Sequence, residues 1–290
     1  MKRLQLIMMM TAIMLFVSVP SYAQDAEIGV IGGGLLYQGD LVPGHFYISQ
    51  TRPFGGILYR YYYNPRLNAY VQLMKGEIRG ADSLIDVMDV NSKERAERNL
   101  DFSSPIIMAN VGIEFNILPY ISNTRRFPFA PFISTRLGVI HYEPTRTIDG
   151  VTFKLRTLNP EGKQWRPFAL TLSYGAGVKY SVGGRWNIGL SITQHFTSTD
   201  YLDGVSRSYR PDVKEMYEKG GEEALKARAI VGYIDYYARN GYSKEQIMNF
   251  LQHVGQVKRG DPSPDWMTDF GVVISRTIRP CRCEILKNLF

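Results

Sequence analysis

The fold this sequence predicts is all-β: an eight-stranded antiparallel transmembrane β-barrel with long extracellular loops and short helices in the last of them. Three observations predict it. Residues 184–196 alternate almost without exception, setting Trp186, Ile188, Leu190, Ile192 and Phe196 against Asn187, Gly189, Ser191, Thr193 and His195. A strand whose one face is apolar and whose other face is small and polar separates two solvents, lipid outside and a lined barrel interior. The pattern recurs along the chain behind an export-type N-terminus, and the connections between repeats alternate between short and long.

The N-terminus carries Lys2 and Arg3, an apolar run over 6–19 and small residues around Ser21 and Ala23. This is the pattern of a signal peptide spanning 1–23, with cleavage expected before Gln24. Nothing later offers eighteen consecutive apolar residues, so a membrane crossing must be made by strands. Without Lys2 and Arg3 the basic count falls from 34 to 32 against 27 acidic residues, lowering the formal charge from +7 to +5. A basic exported chain can meet lipopolysaccharide phosphates, and a solvated basic face is an equally open reading.

In chain order the strands are expected at 26–37, 54–63, 66–78, 106–118, 131–141, 169–183, 184–196 and 265–278, the first three and the last being weaker than the rest. Over 106–118 the outward set is Ile107, Ala109, Val111, Ile113, Phe115 and Ile117, opposite Asn110, Gly112, Glu114 and Asn116. Over 131–141, Ile133, Leu137 and Val139 oppose Ser134, Arg136 and Gly138. Over 169–183, Leu170, Leu172, Tyr174, Ala176, Val178, Tyr180 and Val182 oppose Thr171, Ser173, Gly175, Gly177, Lys179 and Ser181. Eight is an even number, as single-chain bacterial barrels prefer.

The connections at 63–66 and 182–185 are tight turns, and 119–128 is a modest loop; these suit the periplasmic side. The connections at 39–52, 79–101, 143–167 and 199–264 are long and polar and suit the extracellular side, which leaves both termini periplasmic. Within the last, 211–229 and 243–254 read as short helices, the second opened by Ser243 and Gln246 at capping-box spacing. The 19 Tyr and 14 Phe suit aromatic girdles. Tyr61, Tyr63, Phe115, Tyr120, Phe127, Phe129, Tyr180 and Trp186 would form the periplasmic one, and Tyr37, Phe54, Phe102, Tyr142, Phe168, Phe196 and Trp266 the outer. The 27 Gly suit a crowded interior. A soluble sandwich or lipocalin-like barrel would need small polar residues and Gly as its exterior, a poor solvent-facing surface.

Four charged residues take the inward phase: Arg60, Glu114, Arg136 and Lys179. An eight-stranded barrel is filled by side chains, so they are expected to form an ion-pair network that plugs the lumen, with Glu114 among the cations. His195 faces inward near the outer rim, close in sequence to Ser198, Asp200 and Asp203, with His141 at the outer end of another strand. Such groups could do proton-transfer chemistry, but the spacing is not diagnostic and a hydrogen-bonded rim histidine is the preferred reading. Four scattered His and two Cys show no metal-ligand spacing, and no cofactor is implied. Cys281 and Cys283 lie in the 280–290 tail, beyond the last strand of the 24–279 barrel unit. A bridge across one residue would close a strained ring. A disulfide from one of them to a periplasmic partner is one reading; a self-bridged or free pair is the other.

Several strings go beyond architecture: Glu27-Ile28-Gly29, Gly32-Gly33, Tyr37-Gln38-Gly39-Asp40-Leu41, Arg98-Asn99-Leu100 with Phe102, Leu155 to Leu158 followed by Glu161-Gly162, Arg259-Gly260 and Asp265-Trp266. The most specific is Thr199-Asp200-Tyr201-Leu202-Asp203-Gly204-Val205-Ser206. Together they resemble the PorG family of outer-membrane proteins of the type IX secretion system, although the stretch around Leu155 departs from that pattern. The resemblance implies a non-enzymatic barrel associated with a periplasmic ring of the PorK lipoprotein and PorN, with substrates passing through a separate, larger barrel. Two other classes remain: a rim enzyme acting on lipid or peptide, and an adhesin or lipid-binding barrel using the 199–264 loop.

Overall fold

The computed structural model describes residues 26–42, 48–82, 100–122, 128–148, 150–159, 161–207, 238–243, 246, 249, 260 and 263–278. The signal segment, Arg98, Asn99, Phe127, the 211–229 stretch, Arg259 and the tail with Cys281 and Cys283 lie outside them.

Long alternating segments become long strands: β1 (Ala26–Gln38), β2 (Arg52–Tyr62), β3 (Leu67–Ala81), β4 (Asp101–Asn116), β5 (Phe129–Tyr142), β8 (Phe168–Gly183), β9 (Trp186–Thr197) and β10 (Trp266–Ile278), with the short pair β6 (Thr145–Ile148) and β7 (Val151–Lys154) between. All pairings are antiparallel, and neighbours run β3-β2-β1-β10-β9-β8-β5-β4. A β3–β4 pairing, from Leu67 with Phe115 to Ala81 with Asp101, joins the two ends. The eight long strands therefore close into a barrel with no free edge.

At one end the turns are tight. Asn64 Oδ1 accepts the backbone N–H groups of Arg66 (2.8 Å) and Leu67 (2.9 Å), an Asx turn that reverses β2 into β3. Gly184 and Arg185 link β8 to β9 with φ of 57° and 71°, the left-handed pair that a two-residue hairpin needs. The opposite end carries the long connections. The 143–167 connection holds more structure than a polar loop: the β6–β7 hairpin, tied to β4 through Ser103 and Thr145, and the one-turn helix Leu155–Leu158. In the last connection Ser243 N–H donates to Gln246 Oε1 (2.8 Å) and Gln246 N–H to Ser243 Oγ (3.3 Å), so the capping box forms, and Gln246 and Asn249 are helical.

The outer surface is apolar. Val71, Leu73, Val111, Ile113, Ile133, Leu137, Leu170, Val182 and Leu190 all stand exposed. From Leu170 to Val182 the outward side chains run about 40 Å along the strand, or about 30 Å of height at usual barrel tilt, enough for a hydrocarbon core. A continuous apolar band of this extent does not suit water.

The aromatic arrangement differs from the two-girdle expectation. At the short-turn end Tyr61, Tyr63, Phe115, Phe129, Tyr180 and Trp186 are exposed, joined by Tyr59. At the long-loop end Phe168 and Trp266 are exposed and Phe196 is half-buried against Trp266. Tyr37, Phe54, Phe102 and Tyr142, however, are buried inside. Parity explains it: Tyr37 shares the phase of Glu27, Phe54 of Arg60, Phe102 of Glu114 and Tyr142 of Arg136, all of which face inward. Tyr120 lies past the end of β4 and is also buried, its hydroxyl donating to Asn187 Oδ1 at 2.8 Å.

The interior is also more than a small polar lining. Leu35, Leu58, Met74, Ile78, Ile106, Met108, Ile140 and Met267 join Tyr37, Phe102 and Tyr142 in one apolar cluster. The lumen is thus filled in two layers, charged toward the short turns and mainly apolar toward the long loops.

Candidate functional site

In the charged layer, Glu114 Oε1 accepts Lys179 Nζ (2.6 Å) and Asn68 Nδ2 (3.0 Å), while its Oε2 accepts Arg60 Nε (3.1 Å). Arg60 Nη1 continues to Glu27 Oε2 (3.3 Å), and Glu27 also accepts Asn187 Nδ2 and Ser275 Oγ. All four ions are at least 97% buried. Lys179 lies over the rings of Tyr62, Tyr120 and Phe132, and Arg60 over Tyr70 and Phe132. Two cations and two anions alternate, which is how buried charge becomes tolerable.

Arg136 stands apart from this layer. Its guanidinium packs over Tyr70 at 4.4 Å and donates to Gln72 Oε1 (3.2 Å) and Ser134 Oγ (3.1 Å); among the described residues no carboxylate lies within 4.0 Å. Gly112 makes room beside it: a Cβ there would sit 2.1 Å from the Thr135 carbonyl oxygen and 2.7 Å from Arg136 Cα. Glu27, a full member of the network, was absent from the expected set because it lies at the first turn of a weak strand, where the phase is hard to read.

His195 does not meet Ser198, Asp200 or Asp203. Its Nδ1 lies 2.7 Å from Ser173 Oγ and its Nε2 2.7 Å from Asp269 Oδ2, so adjacent strands β8, β9 and β10 supply a Ser–His–Asp row. Ser173, His195 and Asp269 are all fully buried. A nucleophile needs a reacting atom about 3 Å away, and a hydroxyl sealed among strands has none within reach. The row spans three strands as a structural hydrogen-bond tie. His141 packs outside against Phe168 at 4.8 Å, and Ser198 Oγ accepts the Leu170 N–H.

The Asp200, Tyr201, Leu202 and Asp203 string forms a cap on the long-loop end. Leu202 is fully buried in the apolar cluster. Tyr201 stacks on Trp165 with centroids 4.4 Å apart and planes 9° apart. Glu161 accepts the backbone N–H groups of Ser206 (2.8 Å) and Arg207 (3.0 Å), clamping this segment to the preceding loop. Asp203 and Asp265 both approach the Tyr37 hydroxyl. Burial pushes the Asp200 carboxyl up to about 7, and Asp40 and Glu161 add to that rise while Ser206 and Lys163 oppose it. The acidic residues of this string were legible; Tyr37, Glu161, Trp165 and Asp265 as their partners were not, because each lies at least 35 residues away.

Among the described residues no cluster of His, Cys, Asp or Glu is arranged to hold a metal ion. The model of a family described as a domain of unknown function, DUF6089, matches residues 5–217. No curated protein matches the chain. Among solved structures the chain is similar to Neisserial surface protein A (9% identity, 89% of this chain and 99% of that one, TM-score 0.40). It is also similar to Ail, the attachment invasion locus protein of Yersinia pestis (11% identity, 88% and 99%, TM-score 0.38). A third is a major outer membrane protein from Thermus thermophilus (12% identity, 87% and 99%, TM-score 0.34).

Proposed function

The chain belongs to the DUF6089 family, and we propose that it is a non-enzymatic outer-membrane barrel of the type IX secretion machinery that anchors or positions a periplasmic lipoprotein ring. The observation that carries a holding role is the filled lumen: the Glu27–Arg60–Glu114–Lys179 layer and the apolar cluster above it leave the interior to structure. A protein substrate has no path through such a barrel, so its contribution to export is made from its ends and its outer surface. The apolar band supports residence in the outer membrane, with the short turns and both termini periplasmic.

The secretion assignment is supported by the strings that resemble the PorG family, above all residues 199–206. The ring partners on this reading are PorK and PorN, and lipid and lipopolysaccharide surround the barrel. Cys281 and Cys283, in the tail beyond β10, would be available on the periplasmic side for a disulfide to the ring.

The test is a pull-down of the tagged protein from gently solubilised outer membranes, with and without DTT, comparing wild type with the Cys281→Ser/Cys283→Ser variant. Recovery of the lipoprotein ring is expected, weakened by reduction and by the double substitution. Recovery that is indifferent to both removes the disulfide, and a solitary barrel in every lane removes the anchoring role.

A further inference from the structure

The cap sets one phenol between two carboxyls. The Tyr37 phenol oxygen lies 2.7 Å from Asp203 Oδ2 and 2.7 Å from Asp265 Oδ1. A phenol has one O–H and can donate to only one carboxylate. The second contact is a hydrogen bond only if the other carboxyl is protonated and donates to the phenol oxygen. The remaining carboxyl oxygens are already acceptors: Asp203 Oδ1 takes the Val205 N–H (2.8 Å) and Asp265 Oδ2 the Leu202 N–H (2.9 Å). The extra proton therefore belongs between the two carboxyls, at the phenol. Tyr37, Asp203 and Asp265 are each at least 99% buried, out of reach of bulk solvent.

We propose that Tyr37, Asp203 and Asp265 form a proton-dependent latch that holds the 199–206 segment closed over the long-loop end and releases it when the shared proton is lost. The proposal goes beyond the secretion reading and does not depend on it. The surroundings make loss of the proton costly. Asp40 approaches from the turn after β1, Asp200 from the cap itself and Glu161 from the loop after the one-turn helix. Lys163 faces this cluster near Tyr201 and Asp200, and Tyr142, itself beside Arg156, faces it from β5 through its hydroxyl bond to Thr199. Burial first, then Asp40 for Asp203 and Asp203 for Asp265, holds both carboxyls well above the usual range. For a group raised in this way, the closed form is fully favoured below the ordinary carboxylate pKa of about 4. That preference is lost as pH rises through the raised value.

The experiment reads amide hydrogen exchange at Leu202 and Val205 in the full barrel refolded in detergent, as protection relative to the intrinsic rate at each pH. In wild type, protection is expected to fall from mildly acid to alkaline pH, by about tenfold per pH unit once one proton is being released. In Asp203→Asn the amide is a permanent donor to the phenol, and protection is expected to fall with a shallower slope, that of Asp200 alone. Equal slopes in wild type and variant, or flat protection in wild type, overturn the proposal. Asp265→Asn gives the same contrast if the first variant fails to fold. Infrared spectroscopy reports independently: wild type at neutral pH should show a protonated-carboxyl band beyond that of Asp200, weakened in Asp203→Asn, and a missing band or one the substitution leaves unchanged overturns the latch.

Discussion

Removing the Glu114 charge is the sharpest test of how the barrel is held together. Glu114 is fully buried and is the carboxylate that meets both Lys179 and Arg60. Glu114→Gln keeps the volume and one acceptor oxygen but leaves Lys179 with that neutral oxygen and aromatic faces and no carboxylate, while Arg60 retains Glu27. Breaking a buried pair from one side costs about 3–5 kcal/mol, because the orphaned ion stays out of water. That corresponds to a rise of roughly two to four orders of magnitude in the unfolding equilibrium constant. The assay is urea unfolding in lipid vesicles followed by tryptophan fluorescence, with loss of heat-modifiable gel mobility as a second probe. Glu114→Gln/Lys179→Met removes both members of the pair and leaves Arg60 with Glu27, so it should recover at least about 2 kcal/mol over the single variant. A single variant within 0.5 kcal/mol of wild type, or a double variant no better than the sum of its singles, would refute the reasoning; about 0.5 kcal/mol is the spread of an ordinary surface substitution.

Leu137, exposed at mid-strand, should cost about 2–4 kcal/mol when changed to Arg if the band lies in lipid; unfolding in vesicles checks this, and a neutral result would remove Leu137 from the hydrocarbon. Gly112→Ala should destabilise by about 1–3 kcal/mol through its clash with the Thr135 carbonyl, measured by the same unfolding curves. Arg156 donates through Nε and Nη2, both at 3.1 Å, to Glu143, and these bonds hold that carboxyl below its usual range. Its contribution is therefore present above the ordinary carboxylate pKa and disappears as pH falls through the lowered value. Titration by NMR should show the Glu143 pKa rising toward normal in Arg156→Ala.

Strand identity was legible because it is local. A residue in an extended chain points opposite to its neighbours whatever lies beside it, so Leu170 to Val182 and Trp186 to Phe196 declare an apolar face and a polar face without help from other segments. The same local rule marked Arg60, Glu114, Arg136 and Lys179 as inward. It also puts Phe54, Phe102 and Tyr142 inside, because phase decides the face even near a strand end.

What the linear order cannot express is which inward side chains share a level. That depends on register and closure, and it takes the β3–β4 pairing to bring Asn68 beside Glu114 and the β1–β2 pairing to bring Glu27 beside Arg60. The chemistry of the interior was likewise decided by tertiary contact. His195 took Ser173 and Asp269 across neighbouring strands rather than the hydroxyl and acids near it in sequence, and Asp203 met Asp265 across a separation of 62 residues. The sequence by itself determined a two-faced strand repeated eight times, since alternation needs only the geometry of one extended chain. Only the closed barrel decided that its charges neutralise one another and that its cap rests on a tyrosine between two acids, since both require segments brought together in space.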